Sequence, residues 1–273
     1  MSDQSSIDQI NKKFWDQMCG TVAAKGLGLV DNDAVTLEKY DRWFFGFYPY
    51  LEQLIPFRDV AGKDILEIGL GYGSVSQRIA AAGGNLTGLD IASGPVRWLE
   101  HRLKLSGLPG KAIEGSALAI PFQDESFDYV VSIGCLHHTG NLKKGISEVH
   151  RVLRKGGGAT IMVYNATSNL RWLKYPGDTL RYVKAVRAGS DEPLRLAEDG
   201  RADFDADTSG NIAPEVVLAS KKSLSRMLKN FSRQKITRTN VANHPLLERI
   251  PRNWRNAIEG RLFGLDLYAM VTK

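Results

Sequence analysis

The sequence predicts an α/β fold in which helices cover both faces of a mostly parallel, doubly wound sheet. Short apolar strand patterns alternate with helical patterns between Lys63 and Asn165. The connections between them are short, as is typical of parallel strand–helix–strand units. A glycine-rich turn, Gly69 to Gly73, joins the first strand of this region to its first helix. Such a turn brings backbone N–H groups and a helix N-terminus close to a ligand.

The composition is that of a globular protein with one large domain. The chain has 273 residues, a formal net charge of +6 and two cysteines, so it has no disulfide framework. We read the basic excess as a solvated surface, because no dense block of Lys or Arg occurs. No signal-peptide pattern begins the chain, and no apolar run reaches the roughly 20 residues of a membrane span. We therefore expect a cytoplasmic location, no membrane partner and no metal site.

The first 62 residues predict a helical cap rather than part of the sheet. Ile7, Ile10, Phe14 and Met18 recur at helical spacing, which indicates an amphipathic helix. The stretch Tyr40–Phe57 then holds a large share of the aromatic residues. It predicts either a core helix or a lid over a pocket. The aromatic residues expected to reach a ligand are Trp43, Tyr48 and Tyr50.

The sheet elements follow in order. Hydrophobic runs predict strands at 64–70, 85–91, 111–115, 126–134, 158–165, 234–241 and 266–273. Amphipathic stretches predict helices at 74–83, 94–107, 142–157 and 220–231, the last with Ser220 as its N-cap. The regular alternation stops at about 166. Residues 170–189 look helical with a break at Pro176, and 191–210 predict a long polar loop, so we expect a lid insertion at about 166–213.

Two acidic residues indicate which nucleotide the glycine turn holds. A dinucleotide fingerprint is G-x-G-x-x-G, whereas Ser74 occupies the third glycine position here. Glu67 would repel a pyrophosphate, but it would favour the ammonium and sulfonium cations of S-adenosylmethionine. Asp90 follows Gly69 by 21 residues, where a carboxylate accepts hydrogen bonds from a ribose diol. The residues therefore favour S-adenosylmethionine over NAD.

Four segments together carry a resemblance to a known family. They are ILEIGLGYG, LTGLDI, SALAIPFQDESFDYVVSIGCLHHT and EVHRVLRKGGGATIMVYN. With them the chain resembles the class I S-adenosylmethionine-dependent methyltransferases, in particular the small-molecule type with a Leu-His-His segment after the fourth strand. The resemblance implies a Rossmann-like, seven-stranded sheet whose last strand alone is antiparallel, spanning residues 63–273.

The resemblance also implies roles for individual residues. Those expected at the methionine part of the cofactor are Glu67, Gly69, Gly71 and Gly73. Asp90 is expected at the ribose, and Ile91, Ser116 and Ala117 at the adenine. Ile133 and Gly134 are expected to touch the cofactor beyond the fourth strand. Ser116 departs from the family pattern, in which many members have an acidic residue. The serine hydroxyl at that position can still accept a hydrogen bond.

The segment after the fourth strand holds the residues expected to do chemistry. A base is needed only if the methyl acceptor carries a proton, and His137, His138 and Tyr164 are the candidates. One histidine is expected to line the site, although a purely structural hydrogen bond is equally compatible with the sequence. We interpret Cys135 as a small packed side chain. The segment differs from the Asn/Asp-Pro-Pro-aromatic motif of nucleic-acid amino methyltransferases, so no nucleic-acid partner is expected.

The sequence thus predicts methyl transfer from S-adenosylmethionine to an oxygen, nitrogen or carbon atom of a small molecule, in specialised metabolism. Two alternatives stay open. The chain could use the cofactor for other chemistry, such as cyclisation that releases methylthioadenosine, or it could bind the cofactor without turnover. The motifs identify neither the acceptor nor the oligomeric state.

Overall fold

A seven-stranded sheet forms the centre of the molecule. The computed structural model of the chain describes residues 4–18, 26–27, 33–206, 210–241 and 250–273. The sheet strands are β1 (Asp64–Ile68), β2 (Asn85–Asp90), β3 (Lys111–Glu114), β4 (Phe127–Ile133), β5 (Leu153–Tyr164), β8 (Arg233–Thr239) and β9 (Asp266–Thr272), with a separate pair, β6 (Leu194–Arg195) and β7 (Val217–Leu218). Their order is β3-β2-β1-β4-β5-β9-β8, and β9 alone runs antiparallel to its neighbours. The predicted sheet is confirmed.

Helices pack on both faces of this sheet and at one end. They are α1 (Gln4–Met18), α2 (Ala34–Phe47), α3 (Leu51–Leu54), α4 (Ser74–Ala81), α5 (Ser93–Leu105), α6 (Leu142–Val152), α7 (Asn169–Lys174), α8 (Pro176–Arg187), α9 (Glu198–Arg201), α10 (Lys221–Met227), α11 (Arg252–Arg255) and α12 (Arg261–Phe263). Short 3-10 turns lie at Phe57–Asp59 and Leu136–His138, and a π-helical turn at Asn256–Gly260. Within the described residues, no helix is both long enough and apolar enough to cross a bilayer.

The central strands are buried on both faces, as parallel strands between two helix layers must be. Ile65 and Leu66 are neighbours in β1 and both are fully buried, but they belong to different hydrophobic clusters. Successive side chains of a strand point to opposite faces, so each serves one helix layer. This packing fixes the strand register, and with it the position of the strand ends that carry the site.

Several predicted elements differ in extent from the structure. The helix predicted to reach residue 157 ends at Val152, because Leu153 is extended and pairs with Phe127 at the start of β5. The helix predicted over 220–231 ends at Met227, although its start is confirmed: Ser220 forms a capping box with Ser223. The predicted loop at 191–210 contains β6 and α9. Leu194 pairs with Leu218 of β7, a long-range contact that local polarity does not reveal.

The N-terminal helix packs against the segment that follows β5. Phe14 lies in one hydrophobic cluster with Tyr182, Leu196 and Ala213. The other end of the N-terminal cap, α2, is held by Arg102 of α5. Arg102 is fully buried, and its guanidinium donates to the Tyr72 carbonyl at 2.7 Å and to the Asp41 carboxylate. Arg102 thereby joins α2 to the glycine turn. The N-terminal cap and the insertion therefore surround the carboxyl ends of the strands, where ligands bind in open α/β sheets.

Candidate active site

The glycine turn requires a backbone that other residues rarely adopt. Gly69 and Gly73 have φ of +83° and +75°. A Cβ atom at Gly69 would lie 2.4 Å from the Cβ of Cys135, so this glycine also allows the fourth strand's end to approach. A Cβ at Gly73 would meet Leu99 at 3.1 Å, behind the turn. Gly69 therefore shapes the site and Gly73 packs α4 against α5.

A first cavity lies above this turn, at the carboxyl ends of β1, β2 and β4. The predicted cofactor residues that line it are Glu67, Gly69, Gly71, Asp90, Ile91, Ser116, Ala117, Ile133 and Gly134. Of the predicted set, only Gly73 is outside this lining. The structure thus brings together residues that are up to 67 positions apart in the chain because the ends of neighbouring parallel strands meet at one edge.

Glu67 is a buried carboxyl at the floor of the first cavity. It accepts a short hydrogen bond from the Ser76 hydroxyl. Burial raises the pKa of Glu67 to about 8, against the opposing effects of Ser76 and Arg102. A ligand cation beside Glu67 would favour the ionised form and reverse this shift. The site therefore suits a cationic ligand group better than a phosphate.

Asp90 closes β2 and faces the same cavity. Its two carboxylate oxygens accept the backbone N–H groups of Leu70 and Ala92, each at 2.9 Å. These bonds hold the carboxylate in place, and burial raises the pKa of Asp90 to about 6. Each oxygen retains a lone pair for a ligand. Such a fixed double acceptor matches the two hydroxyls of a ribose.

Helix α1 supplies three cavity residues that sequence reasoning missed, namely Asp8, Asn11 and Trp15. Asn11 donates from Nδ2 to the His138 carbonyl at 2.8 Å, whereas its buried Oδ1 has no hydrogen-bond partner. That oxygen can accept a bond from an amino or ammonium group of the ligand. Asp8 accepts from the Ser116 hydroxyl at 3.5 Å, so an acid does stand beside this position. The spacing of the three residues places them on one helix face, a signal that the sequence contained.

A second cavity adjoins the first. Trp15, Phe44, Ile133 and Gly134 line both. The second cavity extends beneath the insertion. Its further lining is mainly aromatic and aliphatic, namely Phe47, Tyr48, Met162, Tyr164, Leu170, Phe204, Val241, Leu265 and Tyr268. The polar residues of its lining are Asp203, Asp205, Asn240, Arg252 and Asp266. A cofactor in the first cavity would therefore face a largely apolar chamber.

A histidine, a carboxylate and a phenol meet where the two cavities join. His138 lines the first cavity and Asp205 the second. The His138 Nδ1 atom lies 2.7 Å from the Glu215 carbonyl, and its Nε2 atom lies 3.5 Å from Asp205 Oδ2. Tyr164 donates its hydroxyl to the same oxygen at 2.9 Å. Burial lowers the pKa of His138 and raises that of Tyr164 well above its usual range, so both groups are neutral near pH 7.

His137 lies behind this cluster, and Cys135 lies against the glycine turn. The His137 ring is fully buried, its centroid 4.2 Å from those of His138 and Tyr164, and it lines neither cavity. Burial holds the pKa of His137 well below its ordinary value. Burial also raises the pKa of the Cys135 thiol. Of the three residues predicted to act as base, His138 alone faces the first cavity.

The three predicted lid aromatics occupy different places. Tyr48 lines the second cavity. Trp43 stacks on Phe47 and lies tilted against Tyr40, and Tyr50 packs edge-on against Tyr268. Neither Trp43 nor Tyr50 lines either of the two cavities. The aromatic residues of α2 that do reach the first cavity are Tyr40 and Phe44. Which residues of an aromatic-rich helix face inward depends on how the helix is rotated, and the sequence alone leaves that open.

Asp266 marks the far side of the second cavity. Its carboxyl is fully buried, and Oδ2 accepts from Asn240 Nδ2 at 2.9 Å. Asn240 in turn accepts from Arg252 at 2.8 Å through Oδ1, and because a guanidinium can only donate, the amide orientation is determined. Burial raises the pKa of Asp266 to about 8. Its Oδ1 atom is buried without a hydrogen-bond partner.

Comparison with known proteins agrees with this geometry. Residues 66–161 match a family model described as a methyltransferase domain. Within that segment the chain is similar to methyltransferases, and its fold is that of solved S-adenosylmethionine-dependent methyltransferases. A solved S-adenosylmethionine-dependent methyltransferase from Methanosarcina mazei superposes with a TM-score of 0.55 over 83% of this chain and 97% of its own, at 19% identity, which supports the fold. S-adenosylmethionine is the cofactor of this family, and the cationic preference of the first cavity fits it.

Two curated relatives match this chain over part of their length. It is 31% identical to botryococcene C-methyltransferase of Botryococcus braunii over 130 residues, which cover 46% of this chain and 33% of that protein. It is 35% identical to fatty-acid O-methyltransferase of Mycolicibacterium smegmatis over 101 residues, or 36% of each chain. The matching part thus spans about a third of these relatives. In the described part of the chain no cluster of three or more His, Cys, Asp or Glu side chains is placed to hold a metal ion.

Proposed function

We propose that the chain transfers a methyl group from S-adenosylmethionine to a hydroxyl group of an apolar small molecule. The observation that carries the proposal is the pair of His138 and Asp205 at the junction of the two cavities. A residue that lies between a cofactor chamber and an acceptor chamber can take a proton from the attacking atom. The glycine turn and Asp90 hold the cofactor on one side. The aromatic chamber holds the acceptor on the other.

His138 has the protonation state that a base requires. Its Nδ1 atom lies against the Glu215 carbonyl, which can only accept, so Nδ1 carries the hydrogen and Nε2 keeps a lone pair. Burial lowers the pKa of His138, so the ring is neutral near pH 7 before the reaction. The Asp205 carboxylate beside Nε2 stabilises the imidazolium once the proton has arrived. Tyr164 donates to Asp205 and restrains its position.

The remaining residues position the reactants. When bound, the cofactor supplies an electrophilic methyl group on a positively charged sulfur. His138 would accept the proton that the acceptor hydroxyl loses as its oxygen takes this methyl group and the sulfur leaves as a neutral thioether. Trp15 and Phe44, which line both cavities, exclude water from this point. The chain contributes alignment, a dry site and one proton acceptor.

The charges of the second cavity favour an uncharged acceptor. Asp203 and Asp205 line it, and a carboxylate substrate would meet both. Arg252 is the one basic residue among the described lining residues, and it already donates to Asn240 and to the Phe47 carbonyl. A neutral hydroxyl avoids this repulsion and can donate to Nε2. The names of the relatives, a botryococcene methyltransferase and a fatty-acid methyltransferase, support an apolar acceptor.

Product analysis tests the proposal against its two alternatives. Purified chain is incubated with S-adenosylmethionine and a panel of apolar alcohols and phenols, and the products are separated by mass spectrometry. S-adenosylhomocysteine together with a methyl ether supports the proposal. Methylthioadenosine would instead indicate cyclisation of the aminoalkyl arm. Cofactor binding without either product, for every acceptor in the panel, would indicate a binding protein.

Replacement of His138 gives a second test of the proposal. His138→Gln removes the proton acceptor, and kcat should fall about 10²- to 10⁴-fold with little change in cofactor affinity. The limb of the pH–rate profile that reports ionisation of His138 should also disappear. His150→Gln is the matched control, because His150 contacts the Asn230 carbonyl at the opposite end of α6. An unchanged kcat in a folded His138→Gln variant would contradict the proposed role.

A further inference from the structure

Exposed apolar side chains are concentrated on two stretches of the chain. Of the eleven large apolar residues that are exposed among the described residues, eight lie within 169–187 and 250–263. They are Trp172, Leu173, Leu180, Ile250, Trp254, Ile258, Leu262 and Phe263, and Leu173 is 81% exposed. Single exposed apolar residues are ordinary, but a cluster marks a site of interaction. We call this cluster the apolar rim.

The two stretches of the apolar rim are neighbours. Asn169 Nδ2 donates to Glu259 Oε1 at 2.8 Å and so joins α7 to the π-helical turn. Each stretch also supplies a wall residue of the second cavity, Leu170 from the first and Arg252 from the second. The apolar rim is therefore continuous with the chamber assigned to the acceptor.

The charge of the apolar rim identifies what it contacts. The two stretches together hold eight basic residues and two acids. Arg171 and Arg255 are buried and Arg252 is half-buried, which leaves five exposed basic residues and one exposed acid, Asp178. Exposed basic side chains lie beside the apolar ones, among them Lys184, Arg187 and Arg261. Apolar side chains next to Lys and Arg are typical of protein surfaces that lie in the interface of an anionic bilayer. Tryptophan, present here at Trp172 and Trp254, prefers the same depth.

A second copy of the chain fits this surface less well. A two-fold dimer through the apolar rim would place each basic stretch against the same stretch of its partner. The like charges would then repel each other at close range. An anionic headgroup layer instead pairs with the basic residues while its acyl region accepts the apolar ones.

We propose that the apolar rim binds the surface of an anionic lipid bilayer and places the second cavity beside it. An apolar acceptor dissolved in the bilayer then reaches the chamber without crossing water. The part that concerns the acceptor rests on the proposed function, whereas the binding to lipid does not. The chain lies on the bilayer in this arrangement and does not span it.

Sedimentation with vesicles tests the proposal. The full chain is mixed with vesicles of phosphatidylcholine alone, or of phosphatidylcholine with phosphatidylglycerol. We expect it to sediment with the anionic vesicles and to be released as salt is raised. The triple variant Ile258→Ser, Leu262→Ser, Phe263→Ser should bind these vesicles at least about tenfold more weakly. The matched control is Ile10→Ser with Val35→Ser, which changes exposed apolar residues outside the apolar rim.

Each other outcome would overturn the proposal. The wild-type chain could remain in the supernatant with both kinds of vesicle, or the triple variant could sediment as the wild type does. A dimer without lipid that the triple variant converts to a monomer would show that the rim binds a second copy. Cofactor turnover with a water-soluble acceptor is measured separately, without vesicles. Loss of lipid binding and failure of the proposed function are therefore distinguishable.

Discussion

The two cavities share a wall, yet the chain builds them in different ways. Most of the first cavity comes from 67–134, where each ligand-facing group lies at the end of a strand or in the turn after it. The second cavity draws on residues from across the chain, among them Trp15, Tyr164, Asp205 and Asp266. The first cavity is thus built from short local segments, each at the end of a strand along one edge of the sheet. The second exists only after distant segments have packed together.

The largest effect should come from changing the glycine turn of the first cavity. In Gly69→Ala the new Cβ would lie 2.4 Å from Cys135, at a φ of +83°. Backbone strain and overpacking each cost about 1–3 kcal/mol. We expect a marked loss of stability and loss of measurable cofactor binding, seen by thermal unfolding and calorimetry.

Gly107→Ala is the matched control for this substitution. Gly107 also has a positive φ, +63°, but nothing lies within 4 Å of the added Cβ. It should therefore show the backbone strain alone and keep cofactor binding. If both variants bind the cofactor as the wild type does, the turn tolerates a side chain and the first cavity is less rigid than described.

This difference explains how much the sequence could predict. The strands, the turn and the cofactor residues from Glu67 to Gly134 follow from local patterns, because the residues next to a strand end or a glycine are enough to locate it. Asp205 lies in a stretch that looks like a polar loop, and only the pairing of β6 with β7 and the packing of Phe14 bring it to His138. That approach involves residues 67 positions apart, which no local pattern records.

The aromatic residues of α2 show the same limit within one helix. Trp43 and Tyr40 are three residues apart in α2, and only Tyr40 lines the first cavity. The rotation of α2 is set by Arg102, whose buried guanidinium reaches Asp41 from a different helix. A sequence pattern shows that the helix has an apolar face. It does not show which ligand that face meets.

A smaller effect is expected from Asp90→Ala, which keeps the turn but removes its charged acceptor. A hydrogen bond to a charged group contributes about 1.5–3 kcal/mol, or about 10- to 150-fold in affinity. We expect cofactor binding to weaken by this factor in calorimetry, with some loss of stability because Leu70 and Ala92 lose their acceptor. Asp124→Ala is the control, since Asp124 is exposed and pairs with Arg151. Equal affinities would remove Asp90 from the cofactor site.

The pH dependence of stability should report the buried carboxyl of each cavity. Glu67 and Asp266 each have a pKa raised by burial to about 8, from 4.5 and 3.8. A raised pKa in the folded state gives stability that is complete below the unfolded pKa and is lost as pH rises through the folded one. The free energy of unfolding of the ligand-free chain should therefore fall between about pH 4 and pH 8. Glu67→Gln and Asp266→Asn should each flatten that decline.

Cofactor should act on only one of the two carboxyls. A cation in the first cavity favours ionised Glu67, so binding at pH 7 should release about one proton, which calorimetry in buffers of different ionisation enthalpy detects. Glu67→Gln should abolish this release, whereas Asp266→Asn should leave it unchanged because Asp266 lies in the second cavity. Proton release that persists in Glu67→Gln would place the coupled group elsewhere.

The smallest effect concerns Cys135, which lines the first cavity beside Gly69. Its side chain is half-buried, and desolvation raises the pKa of the thiol, so it carries no thiolate at neutral pH. We therefore interpret Cys135 as packing against Gly69. Cys135→Ala keeps the Cβ that approaches Gly69 and removes only the sulfur, so we expect a stability loss of about 1 kcal/mol and kcat within about twofold of the wild type. Cys135→Val, which adds volume beside the turn, should be worse than Ala. A folded Cys135→Ala variant without turnover would mean that the thiol takes part in the chemistry.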